Sequence, residues 1–377
     1  MRILHVVPTY LPAVRYGGPI ASVHGLCKAL AASGHDVHVF TTNVDGETES
    51  KVPLGVPVDF DGVKVWYFPV PALRRLYWSP QMRAALRKHV SGFDIVHTHS
   101  VFLWPTWAAA RVARSQGVPY FLAPRGMLVR ELIRRKSTLL KRAWIALVER
   151  GNIAGAAIVH FTSRIEEEEA RALGLPIRKS CIVPNGIDRS DVVRVAGPDR
   201  FILFVGRINW KKGLERLIAA LSLIPECRLV IAGNDEEGLR PALEAQATDS
   251  GVMERIVFVG PVYGGEKAAL LSRALLLVLP SHSENFGNVV LEAMAAGCPV
   301  VVTPEVGAAD IVSESGGGIV VDGNPIALAG AIRALLADPI ALERMGQNAR
   351  LFVRGRYGWE SVSRQTEQAY QEVIARK

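Results

Sequence analysis

Cysteine is scarce. Cys27, Cys181, Cys227 and Cys298 lie far apart, and no two share C-x-x-C spacing. That argues against a disulfide framework and a thiolate metal site, and makes a reducing cytoplasm the expected setting. Long apolar runs are also missing. None approaches the ~18 residues of a membrane span, and Pro8 and Pro12 cut short the apolar start at Ile3, Leu4, Val6 and Val7. This start reads as a first core strand rather than an export signal. Three familiar motifs are absent as well: G-x-x-x-x-G-K-[ST], G-x-G-x-x-G and H-E-x-x-H. A P-loop nucleotide hydrolase, a standard dinucleotide oxidoreductase and a zinc protease all lose ground on that account. His97 and His99 are spaced to share one face of a strand, but no third ligand is evident nearby, so no metal is expected.

What is present fits a folded chain of two domains. It has 377 residues, 49% of them hydrophobic and 21% charged, which suits two buried cores and excludes disorder. The net charge of +8 is uneven. Residues 71–150 hold 15 Lys/Arg and 3 Asp/Glu, whereas the rest of the chain sums to −4. A basic segment of this kind implies an anionic neighbour.

Short apolar runs alternate with helical segments throughout. Arg2 to Val7, Asp36 to Phe40, Asp94 to Val96, Tyr120 to Leu122 and Ala157 to Phe161 read as strands. Ile20 to Ala32, Trp107 to Ser115 and Leu139 to Glu149 read as helices. The pattern restarts at Phe201, with strands at Arg228 to Ala232, Ile256 to Val259, Leu275 to Leu279 and Pro299 to Val302. Unbroken apolar strands with helical crossovers predict parallel sheets covered on both faces. The fold class is therefore α/β, with two Rossmann-like doubly wound halves facing each other across a cleft. Expected boundaries are 1–190, 191–358 and a C-terminal helix at 359–377 that is free to pack on either half and is expected to cross back to the N-terminal domain. The run Glu166 to Glu169 reads as a solvated helix face.

Ligands of open α/β sheets sit at the carboxyl ends of the strands, and the chemical motifs fall in such loops. The densest runs from Pro280 to Val302. Ser281, Ser283, Glu284 and Asn285 form a polar loop, Gly287 permits close approach, and a helix starts near Asn288 and carries Glu292. A helix start favours an anion such as phosphate. Two carboxylates beside it need hydrogen-bond donors, which sugar or ribose hydroxyls supply; on residue chemistry alone, a loop charge and a helix charge on the surface fit as well. The second motif, Phe204 to Leu214, offers the planar fork of Arg207 and the point charge of Lys212, a pair suited to a diphosphate; two surface cations without a ligand also fit. The third, Tyr16-Gly17-Gly18-Pro19, exposes backbone N–H groups at a helix start; a turn without ligand fits equally.

Taken in order, these pieces resemble the group 1, or GT4, retaining glycosyltransferases of the GT-B fold. The resemblance rests on Gly17-Gly18, the run Asp94 to His99, Pro184 to Asp188, Gly206-Arg207 with Lys212-Gly213, Glu284 and Glu292 eight residues apart, and Ala293 to Val300. It spans nearly the whole chain. It implies a hexosyltransferase-type enzyme (EC 2.4) that moves a sugar from a nucleotide diphosphate-sugar to a hydroxyl acceptor, in surface polysaccharide or lipid-linked glycan synthesis. On that basis Arg207 and Lys212 hold the diphosphate, Glu284 meets the donor sugar and Glu292 the ribose. The backbone of Asn285, Phe286, Gly287 and Asn288 meets sugar or diphosphate, Gly260-Pro261-Val262 grips the base, Gly17 and Gly18 close on the diphosphate, and His99 approaches the reacting sugar. The family works without a bound metal or cofactor, the nucleotide-sugar being substrate. Asn285-Phe286 departs from the glycine common after the first glutamate, and Arg125-Gly126 replaces a shorter polar turn. Arg125 is thus a candidate contact for an anionic sugar or lipid phosphate.

The basic segment gains a reading too. Arg130, Arg134, Arg135, Lys136, Lys141 and Arg142 interleave with Leu139, Leu140 and Trp144, and Arg74, Arg75, Tyr77 and Trp78 form a second cluster. Such a surface suits peripheral contact with the inner face of an anionic membrane, or a polyprenyl-diphosphate acceptor. No nucleic-acid motif accompanies it, so nucleic acid is not an expected partner. The alternatives are a nucleotide-sugar epimerase on the same fold and a non-catalytic basic binding protein.

Overall fold

The computed structural model describes residues 1–13, 18–129, 138–188, 201–224 and 227–376. The chain divides into two compact units. The N-terminal unit is Met1–Gly186 together with Trp359–Lys377, and the C-terminal unit is Ile187–Gly358.

The N-terminal unit is built on strands β1 (Arg2–Val6), β2 (Asp36–Thr42), β5 (Pro57–Phe60), β6 (Val63–Phe68), β7 (Ile95–His99), β8 (Tyr120–Ala123), β9 (Ile158–Phe161) and β10 (Ser180–Ile182); β3 (Val44–Asp45) and β4 (Thr48–Glu49) form a small separate hairpin. The main sheet runs β10-β9-β8-β7-β1-β2-β6-β5. All its pairings are parallel except β5 with β6. Its central strands are apolar on both faces, β1, β7, β8 and β9 being buried almost throughout. Crossover helices cover both faces, as a doubly buried parallel sheet requires. The order reverses direction between β1 and β7, so loops leaving these strands flank a switch point.

The helix Trp359–Ile374 packs on this unit. Val362 and Tyr370 are buried in its core, each such burial contributing ~1.5–3 kcal/mol. The indole of Trp359 lies directly on Gly25 and Gly186, where a Cβ on either would overlap the ring.

The C-terminal unit has one parallel sheet of β11 (Phe201–Val205), β12 (Arg228–Ala232), β13 (Ile256–Gly260), β14 (Leu276–Leu279), β15 (Val300–Val302) and β16 (Gly318–Val320). Its order is β13-β12-β11-β14-β15-β16. Here the switch point lies between β11 and β14, and the loops leaving those strands are 206–213 and 280–287.

Local differences from the sequence reading have physical causes. The helix expected over Leu139 to Glu149 is α-helical only over Thr138–Trp144. It continues as a π turn, Ile145–Glu149, which rotates Glu149 into the core. The run Glu166 to Glu169 is not a uniformly solvated face: Glu166 is 3% exposed. Strands β5, β6, β10 and β16 were not anticipated; β10 and β16 have three residues each, too few to show a period.

Candidate functional site

Two glycines shape the switch point of the C-terminal unit. Gly213 (φ +63°) ends the turn Trp210–Lys212 and lies so close to the Pro280 carbonyl that a Cβ would overlap it. Gly287 (φ +89°) starts the helix Asn288–Ala295, which no side chain caps. The Lys211 carbonyl accepts the His282 N–H at 2.6 Å, stitching the loop after β11 to the loop after β14. Glu284 is fixed in turn, its N–H donating to Glu305 at 3.0 Å and its carbonyl accepting from Gly307 at 2.9 Å.

These backbone contacts bring the expected charged residues together as ion pairs. Lys212 Nζ meets Glu284 Oε2 across 72 positions of sequence, and a Cβ at Gly206 would sit 3.5 Å from the same Nζ. Arg207 Nη1 meets Glu236 Oε1 at 2.5 Å, while Glu236 Oε2 accepts from Asn209 Nδ2 at 2.7 Å. Lys267 Nζ donates to Glu292 at 2.9 Å. Lys267 lies on the helix Gly264–Arg273 that follows Gly260, Pro261 and Val262, so it links that loop to Glu292. Each cation or carboxylate expected to meet a donor therefore faces an opposite charge of the chain itself. Lys211, half-buried beside them, has its ammonium pulled below the usual lysine value by desolvation. Asn285, Phe286 and Asn288 lie between Glu284 and Glu292, with Phe286 buried.

In the N-terminal unit Gly18 opens the helix Gly18–Ala32; Gly17 lies outside the described residues, as do Arg130, Arg134, Arg135 and Lys136. His99 does not reach outward. It is 2% exposed, and its Nε2 lies 2.9 Å from His5 Nδ1. Arg125 donates to its Nδ1 from Nη2 at 3.2 Å and from Nε at 3.3 Å, and to Asn185 Oδ1 at 2.8 Å. The guanidinium thus stands against His99, and Arg125 is the more accessible of the two.

The third histidine missing from the sequence reading is His5, in register with His97 through the β1–β7 pairing. His160 is a fourth. Their bonds fix their tautomers. His160 Nε2 donates to the Val183 carbonyl at 2.9 Å, so its Nδ1 accepts from His97 Nε2 at 3.2 Å and His97 Nδ1 accepts from the Tyr370 hydroxyl at 2.6 Å. Arg125 donates to His99 Nδ1, so His99 Nε2 donates to His5 Nδ1. His5 Nε2 is left as a buried donor without a partner. Burial holds His5 and His160 down at about 3, and His97 and His99 well below their ordinary value; Arg125 and the neighbouring rings push the same way. The ligand atoms of His5, His97 and His99 lie within 4.8 Å of one another, but the adjacent guanidinium opposes a cation there.

Sequence reasoning missed Glu236, Glu149 and the burial of Glu166. For Glu166 a signal existed: Ser163 and Glu166 have capping-box spacing, and Ser163 Oγ accepts the Glu166 N–H at 3.2 Å. For Glu236 the only hint was the acidic run Asp235 to Glu237 after β12.

Comparison with known proteins fits this geometry. The model for glycosyl transferases group 1 matches residues 167–352, and the model for the glycosyl transferase 4-like domain matches residues 17–186. Glycogen synthase of Mycobacterium tuberculosis is 31% identical over 98% of this chain and 94% of its own. Among solved structures, sucrose-phosphate synthase from Thermosynechococcus elongatus superposes with a TM-score of 0.81 at 24% identity, covering 100% of both chains. Anabaena HepE, solved in complex with UDP-glucose, gives 0.75 at 19% identity over 99% of this chain and 100% of its own. The chain belongs to the group 1 (GT4) glycosyltransferases on the GT-B fold and is a hexosyltransferase-type enzyme.

Proposed function

We propose that the protein is a retaining transferase whose C-terminal unit binds a nucleotide diphosphate-sugar and whose N-terminal unit receives a hydroxyl acceptor. The observation that carries this reading is the pairing of Lys212 with Glu284 beside Arg207, on the two loops that flank the β11/β14 switch point. A diphosphate replaces the carboxylates on Arg207 and Lys212. Glu284, released from Lys212, accepts hydrogen bonds from donor-sugar hydroxyls, and Glu292 accepts them from the ribose. The first-turn N–H groups after Gly287 face the diphosphate, and Gly260, Pro261 and Val262 hold the base. HepE's complex with UDP-glucose supports a donor of this class.

Transfer then needs no protein nucleophile. The bond from the anomeric carbon to the diphosphate oxygen breaks. A bond from that carbon to the acceptor oxygen forms on the same face, and the acceptor proton passes to the departing phosphate. Arg207 and Lys212 stabilise the charge left on the phosphate, the largest single contribution such a site makes. Arg125, beside His99, is the N-terminal unit's candidate contact for an anionic acceptor group. The expected acceptor is a surface polysaccharide or lipid-linked glycan, including one on a polyprenyl diphosphate. The basic segment between residues 71 and 150 supports peripheral contact with an anionic inner membrane face of the cytoplasm. Among the described residues no single helix is long and apolar enough to cross a bilayer.

The test is a panel of nucleotide-sugars with free nucleoside diphosphate as the readout, with and without acceptor. Acceptor-dependent release supports transfer. An altered sugar nucleotide formed without acceptor would indicate an epimerase, and no turnover of any donor a binding protein.

A further inference from the structure

The loops leaving β7 and β8 hold the left-handed residues of this part of the N-terminal unit. Ser100 (φ +85°) and Phe102 (φ +64°) follow β7, and Arg125 (φ +54°) follows β8. Non-glycine residues in this region are strained and persist only where their surroundings over-determine them, commonly at functional sites. β7 and β8 are neighbours, with His99 opposite Ala123, so the two loops leave the sheet side by side.

Each loop is gripped by one buried carboxylate. Glu149 Oε1 accepts the Phe102 N–H at 2.7 Å and the Trp144 indole N–H at 2.9 Å, and its Oε2 faces Asn152 Nδ2 at 3.3 Å. Glu166 Oε1 accepts the Gly126 N–H at 2.6 Å, and its Oε2 accepts the Thr162 N–H at 2.8 Å and hydroxyl at 2.9 Å. Glu149 is 1% exposed and Glu166 3%. Burial raises the affinity of both carboxyls for a proton. A buried carboxylate is a poor choice for stability alone, because apolar residues of similar size pack there at lower cost. The π turn that points Glu149 inward is a device frequent at functional sites.

We propose that Glu149 and Glu166 are a matched pair of positioning residues: touching no substrate, they fix the left-handed loops behind His99 and at Arg125, and through them the geometry of transfer. This inference rests on the transferase reading proposed above.

The two carboxylates differ in whether an amide can replace them. Asn152 Oδ1 is buried without a partner. In Glu149→Gln a flipped Asn152 offers that oxygen to the new amide, and every bond is kept. At Glu166 both oxygens face backbone N–H groups, which cannot flip, so Glu166→Gln sets donor against donor.

The experiment uses the full chain and the nucleotide-sugar that the wild type turns over. Glu149→Ala and Glu166→Gln should lose roughly 10- to 100-fold in kcat, the scale of a misplaced reacting group. Donor KM and the dissociation constant for nucleoside diphosphate should stay within about twofold, and Glu149→Gln should match the wild type. Wild-type kcat in both damaged variants overturns the proposal, as does a Glu149→Gln loss equal to that of Glu149→Ala. If the alanine variant fails to fold, hydrogen exchange on the wild type decides. Phe102 and Gly126 amides protected like those of β7 and β8 support the proposal, and free-chain exchange rates overturn it. Failure of the underlying reading shows separately, as nucleoside diphosphate binding that is indifferent to Arg207→Ala.

Discussion

The strand ends of the two units handle charge in opposite ways. At and beside the β11/β14 switch point each charge faces an opposite charge, Arg207 with Glu236 and Lys267 with Glu292 partly exposed and Lys212 with Glu284 more buried. At the ends of β7 and β8 the ionisable groups are buried, the four imidazoles are held neutral, and Glu149 and Glu166 are bonded to backbone. Exposed pairs contribute little to stability, with a typical value of ~0–1 kcal/mol, and exchange partners easily. Buried groups are costly to disturb. On the proposed function, the C-terminal unit trades its internal carboxylates for a charged ligand, whereas the N-terminal unit holds a shape.

Acid should break this contrast most strongly. The folded-state values of His5, His97, His99 and His160 lie far below the unfolded value near 6.5. The unfolded chain therefore binds more protons as pH falls from about 6.5 toward about 3, and stability is lost over that window. Each histidine adds a slope of about 1.4 kcal/mol per pH unit. Thermal melts from pH 7.5 to 5 should show the N-terminal unit failing first. A melting temperature flat across that range would remove the distinction between the units.

Turnover gives the next largest effect. Arg207→Ala and Lys212→Ala should each lower kcat by ~100-fold or more, the scale of losing one donor to developing charge. Melting should barely shift for Arg207→Ala, whose side chain is about half exposed, and shift more for Lys212→Ala, which leaves the mostly buried Glu284 without its partner. A large stability loss with normal turnover would reverse the roles assigned to them.

Packing comes third. Gly25→Ala or Gly186→Ala drives a methyl into the Trp359 indole and should destabilise the N-terminal unit by ~1–3 kcal/mol. Nucleoside diphosphate affinity, assigned by the proposed function to the other unit, should stay unchanged. Calorimetry and ligand titration on one preparation check both halves of that statement.

The smallest expected effect is at Glu236. Glu236→Gln frees Arg207 from its internal partner and should tighten nucleoside diphosphate binding by a few fold, because an exposed pair is worth ~1 kcal/mol or less. Weaker binding in this variant would mean that Glu236 orients Arg207 rather than competing for it.

The sequence showed some of these features and hid others for physical reasons. Phe201–Val205 was legible because five consecutive buried apolar residues have one reading. Arg207, Lys212, Glu284 and Glu292 were legible as motifs, since loops after strands carry their chemistry in short runs. Their pairing was not, because Lys212 and Glu284 meet only through sheet order and the bond from His282 to Lys211. Glu166 looked solvated because the Gly126 N–H that draws it inward lies 40 positions away. His5 carried no signal until β1 was found beside β7.

The most direct measurement is calorimetric titration of UDP, GDP, ADP and TDP into the wild type, Arg207→Ala and Lys212→Ala. Binding of one of these nucleotides by the wild type, weakened at least ~10-fold in each variant, a loss of about 1.4 kcal/mol, is the predicted result. Wild-type affinity in both variants would contradict the account.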